Sequence, residues 1–130
     1  MAEAAKYTCV LIDDDDDDRL IFSTAIKKYF PKFQLKAFPS YEKGELEMKK
    51  MNQKDIFMVF LDLNMPKTNG LTALKEIRNA EAIADLPVVI YSTSNNPDDV
   101  NECLKAGATA FITKPSSIDE LVHEIGVYLK

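Results

Sequence analysis

The sequence predicts an α/β domain in which parallel strands alternate with helices as a doubly wound sandwich. Three observations carry that prediction. The runs Tyr7–Ile12, Ile56–Leu61 and 86–91 are rich in Val, Ile, Phe or Leu without polar alternation, as expected for strands buried on both faces of a parallel sheet. The stretches between them carry apolar residues at helical spacing, with recognisable starts and stops. Two weaker runs, Phe33–Phe38 and 108–113, complete a set of five strands and read as its outer members.

Taken in order, Tyr7–Ile12 is the first strand, and a helix with Leu20, Ile21, Ala25, Ile26 and Tyr29 on its apolar face comes after it, ending before Pro31. Phe33–Phe38 is the second strand. The next helix, within 40–51, has the least regular pattern. After the third strand, Ile56–Leu61, Leu71, Leu74 and Ile77 mark another helix. The strand at 86–91 leads to Asn96-Pro97, an N-cap with proline at the first helical position. Val100, Cys103 and Leu104 form that helix's apolar face, and Gly107 its stop. Past 108–113, Ser117 and Glu120 make a capping box, and Ile118, Leu121, Val122, Ile125 and Leu129 recur at spacings of three and four. The order is βαβαβαβαβα, without repeat or linker. Its one low-complexity segment is the aspartate run Asp13 to Asp18.

Length and composition narrow the function. The 130 residues, 46% hydrophobic, suit one compact unit. A formal charge of −5 excludes nucleic acid or an anionic membrane surface as the main partner. MAEAAKYT has no charged n-region and apolar h-region, and no run approaches the roughly 18 apolar residues of a membrane span. A cytoplasmic location is expected. Cys9 and Cys103 lack metal-ligand spacing and read as small buried hydrophobes, and His123 as a surface residue, so no transition-metal site is expected.

In doubly wound sheets the working residues gather at the carboxyl ends of the strands. There the chain places Asp13 and Asp14, then Asp62-Leu63-Asn64-Met65-Pro66, then Ser92-Thr93, then Lys114-Pro115. Crowded carboxylates require a counter-charge, and hard oxygen ligands suit Mg²⁺ (or Mn²⁺). A carboxylate beside a divalent ion and an ammonium is poised to attack an activated phosphoryl group, since the cations stabilise charge spreading over its oxygens. The chemistry reads as phosphoryl acceptance. An acidic run is as a class most often a solvated segment. A buried strand before Asp13 and a helix pattern after Asp18 split this one into a site pair, Asp13 and Asp14, and first-turn residues, Asp16 to Asp18, favoured by the helix dipole and partly offset by Arg19. Asp15 falls between the two. The run does not fit an EF-hand, because counting from Asp13 puts Asp18 and Thr24 where glycine and glutamate are needed.

At these residues the chain resembles the receiver domains of bacterial two-component response regulators, over nearly all its length. The matching pieces are Ile12-Asp13-Asp14, Leu61 to Pro66 with Gly70 four residues on, Leu86-Pro87-Val88-Val89 leading to Ser92, and Thr113-Lys114-Pro115. The resemblance implies a flavodoxin-like (βα)5 fold with strand order 2-1-3-4-5. It makes Asp62 the phosphoacceptor, Asp14 the direct Mg²⁺ ligand, Asp13 its partner through water, and Asn64 the donor of a backbone carbonyl to the metal. It makes Ser92 the switch hydroxyl, Lys114 the family lysine, and Pro115 the residue whose preceding peptide is commonly cis. Phe111 falls where the family places an aromatic that turns inward with the switch, though it reads equally as core. Thr93 stands where a smaller residue is common, and its methyl would crowd a hydrolytic water. The implied partners are a sensor histidine kinase or phosphotransfer protein and a separate effector. The implied assembly is a monomer or a weak dimer through the fourth helix, fifth strand and fifth helix. No output domain is expected after Lys130, and no enzymatic activity beyond the domain's own phosphorylation and dephosphorylation. Two rivals are a phosphorylation-independent binding module and a haloacid-dehalogenase-type phosphatase. The intact acids, Ser92 and Lys114 speak against the first, and Asn64 in place of a second carboxylate against the other.

Overall fold

A computed structural model describes residues 7–129. Its elements in chain order are β1 Tyr7–Ile12, α1 Asp16–Tyr29, β2 Phe33–Phe38, α2 Tyr41–Lys50, a short 3₁₀ turn Gln53–Asp55, β3 Ile56–Leu61, α3 Gly70–Asn79, β4 Val88–Ser92, α4 Pro97–Lys105, β5 Ala110–Thr113 and α5 Ile118–Gly126. The strands form one five-stranded sheet of order β2-β1-β3-β4-β5, and every pairing is parallel. The two weaker runs are its edges, as expected.

Successive strand residues point to opposite faces, and the core divides accordingly. Val10, Ile12, Val59, Leu61, Val88 and Ile90 pack with residues of α2, α3 and α4, whereas Cys9, Leu11, Met58, Phe60, Val89 and Tyr91 pack with residues of α1 and α5. Both cysteines are free and buried, and burial pushes the Cys9 thiol up to about 12, so they serve as small apolar residues.

Several boundaries differ from the expectation. β4 starts at Val88, because Pro87 has no N–H to donate and the Leu86 carbonyl accepts instead from Arg78 Nη1 at 2.7 Å. β5 starts at Ala110, and the residue before it, Thr109, is tied to β4 by its N–H on the Val88 carbonyl (2.7 Å) and by its Oγ1, which accepts from Val88 N (3.0 Å). α1 buries Ala25 and Ile26 as expected, but its inward face is rotated toward Phe22, which is buried, while Leu20, Ile21 and Tyr29 are exposed. On α4 only Cys103 is buried, and Leu104 faces solvent. The capping box of α5 is half formed. Ser117 Oγ accepts from Glu120 N at 3.2 Å, whereas the Glu120 carboxylate reaches Ser116. The ambiguous stretch resolves into α2, capped by Ser40. Asn96 and Gly107 begin and end α4 as the sequence indicates, with Gly107 at φ +105°.

Candidate functional site

The site begins where two neighbouring central strands end. Asp13 N donates to the Phe38 carbonyl at 3.0 Å, and Asp62 N donates to the Ile12 carbonyl at 2.9 Å. The sheet ladder thus runs one residue past β1 and β3 and delivers both aspartates to the same edge. Asp13 and Asp62 are buried and Asp14 is exposed, yet one carboxylate oxygen from each lies within 4.8 Å of the others. From β4, Ser92 arrives fully buried as the last strand residue. Lys114 N donates to the Ser92 carbonyl at 2.6 Å, which anchors the residue after β5 beside the end of β4.

The side chain of Lys114 crosses the Tyr91 ring at 5.3 Å from its centroid. Its ammonium lies 2.8 Å from Asp13 Oδ2, 2.7 Å from Asp18 Oδ2 and 3.6 Å from Asp62 Oδ2. Burial favours the neutral amine, but the hydrogen bonds and charges of these acids outweigh it and hold the ammonium above the ordinary lysine range. For Asp62 the balance goes the other way. Burial first, then the neighbouring Asp13 charge, raise its carboxyl from 3.8 to about 7 against the opposing pull of Lys114. The protein therefore holds Asp62 where ionisation is disfavoured unless more positive charge arrives.

The donor set fits a hard divalent ion. Asp13 Oδ2 is buried and, apart from the ion pair with Lys114, has no hydrogen-bond partner. Asp13, Asp14 and Asp62 offer carboxylate oxygen, the ligand type that Mg²⁺ and Mn²⁺ prefer. One ammonium faces four carboxylates if Asp18 is counted with those three, so the residues present leave net negative charge at the sheet edge.

The loop after β3 wraps the site. Asn64 N donates to Asp62 Oδ1 at 3.3 Å, and Asn64 Nδ2 lies 3.4 Å from Ser92 Oγ, which also accepts from Ser94 N at 3.1 Å. Gly70 closes the loop by donating its N–H to the Leu63 carbonyl at 2.8 Å. A Cβ at Gly70 would stand 2.3 Å from the Asp62 carbonyl oxygen and 2.6 Å from Leu63 Cα, too close for any side chain. Thr93 is exposed beside Ser92. Phe111 is half-buried, opposite Ile90 in the β4–β5 ladder and packed on the core formed with α2, α3 and α4.

Three expectations are corrected or completed here. The peptide before Pro115 is trans, as no cis peptide occurs among the described residues. X–Pro bonds prefer trans only slightly, and from trans the Lys114 ammonium already reaches its carboxylates. Asp18 does not stay outside the pocket with Asp16 and Asp17 but enters it through Lys114. Asp15 is the N-cap of α1, its side chain accepting from Asp18 N at 2.9 Å. Arg19 pairs with Asp16 and donates from Nη1 to the Asp13 carbonyl at 2.7 Å. A signal for Asp18 existed in the sequence: it lies four, seven and eight residues before Phe22, Ala25 and Ile26, on the stripe of α1 that is buried.

The family model for the response regulator receiver domain matches residues 9–126. The chain belongs to the response regulator receiver domain family. Among curated relatives of this receiver domain, the two-component response regulator ORR8 of Oryza sativa is 30% identical over 109 residues, 84% of this chain and 87% of that protein. A probable cyclic di-GMP phosphodiesterase of Vibrio cholerae is 25% identical over 130 residues, and the chain spans 28% of its length. Solved structures with the same fold include the Mn²⁺-bound form of response regulator Rcp1, at 22% identity and TM-score 0.81 with 95% of each chain covered. Another is the chemotaxis protein CheY4 of Vibrio cholerae, at 19% identity and TM-score 0.82 with 96% of this chain and 100% of that one covered. Among the described residues no helix is long and apolar enough to cross a membrane.

Proposed function

We propose that this receiver domain accepts a phosphoryl group on Asp62 from the phosphohistidine of a sensor kinase or phosphotransfer protein. The observation that carries the reading is the convergence of Asp13, Asp14 and Asp62 within 4.8 Å beside the half-buried Lys114 ammonium. In the transfer, the Asp62 carboxylate forms a bond to phosphorus as the phosphorus–nitrogen bond of the donor breaks, and the imidazole leaves with that electron pair. Lys114 stabilises the charge that spreads over the equatorial oxygens. Asp14, Asp62 and the backbone carbonyl of Asn64 would hold Mg²⁺ or Mn²⁺, with Asp13 beside them. When bound, the ion supplies the positive charge that makes ionised Asp62 favourable and neutralises the phosphoryl oxygens. In this reading the domain works in the cytoplasm, on its own phosphorylation and dephosphorylation, with no other catalytic activity.

Output runs through the β4–β5 ladder. Ser92 and Thr113 are register partners, as are Ile90 and Phe111, so a Ser92 hydroxyl drawn toward the phosphoryl group disturbs the strand pair that holds Phe111. The face made by α4, β5 and α5 then presents different surfaces to an effector, or to a second copy in a weak dimer, in the two states.

The experiment is incubation with Mg²⁺ and acetyl phosphate, read by mass spectrometry. A gain of one phosphoryl group that is absent in Asp62→Asn is expected. No gain, or an equal gain in that variant, removes the reading. With Thr93 crowding the hydrolytic water, label is expected to be lost faster from Thr93→Ala than from the unsubstituted protein, and slower or equal loss would discard that role for the methyl.

A further inference from the structure

We propose that Asp18 is a positioning residue, a carboxylate latch that holds the Lys114 ammonium away from Asp62 and must release it when Asp62 is phosphorylated. The inference rests on the proposed phosphoryl acceptance and names a control on it.

The geometry is that of a three-way competition. Lys114 Nζ lies 2.7 Å from Asp18 Oδ2 and 2.8 Å from Asp13 Oδ2, both close charge-assisted contacts, and stands off from Asp62 Oδ2 at 3.6 Å. The face of Tyr91 supports it on the same side. The ammonium is therefore drawn toward the α1 side of the site and not toward the carboxylate that would receive the phosphoryl group. A phosphoryl oxygen on Asp62 needs a donor that the resting arrangement has committed elsewhere.

The anion able to give way is Asp18. Asp13 is completely buried, and its Oδ2 has no hydrogen-bond partner to fall back on. The Asp18 side chain is 32% exposed and borders an open cleft of about 170 Å³ whose walls include Tyr91, Lys114 and Pro115. Leaving Lys114, it regains water at little desolvation cost, while Asp13 would be stranded. Its backbone is held meanwhile, because Asp18 N donates to the Asp15 cap at 2.9 Å. Only the side chain has to move.

Asp18 thus stabilises the unphosphorylated state and slows entry into the phosphorylated one. The test is the rate of phosphoryl uptake from acetyl phosphate at saturating Mg²⁺ in Asp18→Asn, Asp18→Glu and Lys114→Met proteins and in Asp18→Asn/Lys114→Met. Asparagine keeps the shape and removes the charge, so Asp18→Asn is expected to take up label roughly three- to tenfold faster. Asp18→Glu restores a rate near that of the unsubstituted protein, and the acceleration disappears when Lys114 is methionine. A second, metal-free readout is thermal unfolding in EDTA, where Asp18→Asn lowers Tm when Lys114 is present and not when it is methionine. Equal or slower uptake by Asp18→Asn overturns the latch, and so does an equal acceleration in the Lys114→Met background, which would mark plain repulsion of the anionic donor. A protein that unsubstituted takes up no phosphoryl group fails differently: the proposed function falls, and the latch with it.

Discussion

The two ends of the sheet are built on opposite principles. At the amino end, Tyr7, Phe33 and Phe57 pack their rings in tilted and edge-on pairs across β2, β1 and β3, with centroids 4.9 to 5.6 Å apart. At the carboxyl end of the same strands, Asp13 and Asp62 are buried side by side. Burying aromatic surface is favourable in itself, whereas burying like charges is not, and one ammonium offsets only part of it. Stability therefore comes from the apolar layers and the amino end, and the acidic end is held together at their cost. Each end should accordingly notice different solution conditions.

The largest expected effect tests the stabilising end. Phe33→Ala should lower unfolding free energy by about 3–5 kcal/mol, measured in urea, by the same amount with and without Mg²⁺. A loss that depends on Mg²⁺ would break the separation of the two ends.

Next comes the acidic end, where removing a charge should stabilise. The Asp62 carboxyl binds its proton more tightly folded, at about 7, than at its ordinary 3.8. Between those values the native state holds more protons than the unfolded one, so stability contributed by the protonated group is full below 3.8 and is lost as pH rises through about 7. Asp62→Asn should therefore raise stability by about 2–4 kcal/mol at pH 7 in EDTA. The gain should shrink on acidification and vanish near the ordinary carboxylate value of 3.8. A gain that is flat with pH would point to packing and not to charge.

The smallest effect sharpens the border inside the aspartate run. Asp15→Ala removes the cap of α1 and should cost about 1 kcal/mol, with Mg²⁺ affinity measured by titration unchanged. Weakened Mg²⁺ binding would move Asp15 from the scaffold into the site.

Much of this was readable from composition and order. Ile56–Leu61 and its neighbours announce themselves because a strand covered on both faces must be apolar throughout, and the residues just past each strand are then forced to one edge. The phase of α1 was not readable in the same way. Leu20, Ile21 and Phe22 are consecutive apolar residues, so spacing alone does not choose among them, and the choice falls to the shape of the facing sheet. That ambiguity hid Asp18, since its side of the helix is defined only once Phe22 is placed inward. Six identical letters from Asp13 to Asp18 carry no mark of where the sheet ends and the helix begins. The Lys114–Asp18 pair joins residues 96 positions apart, a distance that the packing of α1 against α5 closes.

The contact beneath Gly70 has a consequence for how this sequence can drift. A methyl group at position 70 would collide with the backbone carbonyl of Asp62, not with its side chain, so replacing the acid by asparagine lifts nothing from the glycine. The dependence is one-way. Position 62 is free to lose its carboxylate and leave a folded protein behind, while position 70 stays confined to a single letter in descendants that have already given up the acid. A lineage that abandons the acid would be expected to keep the glycine.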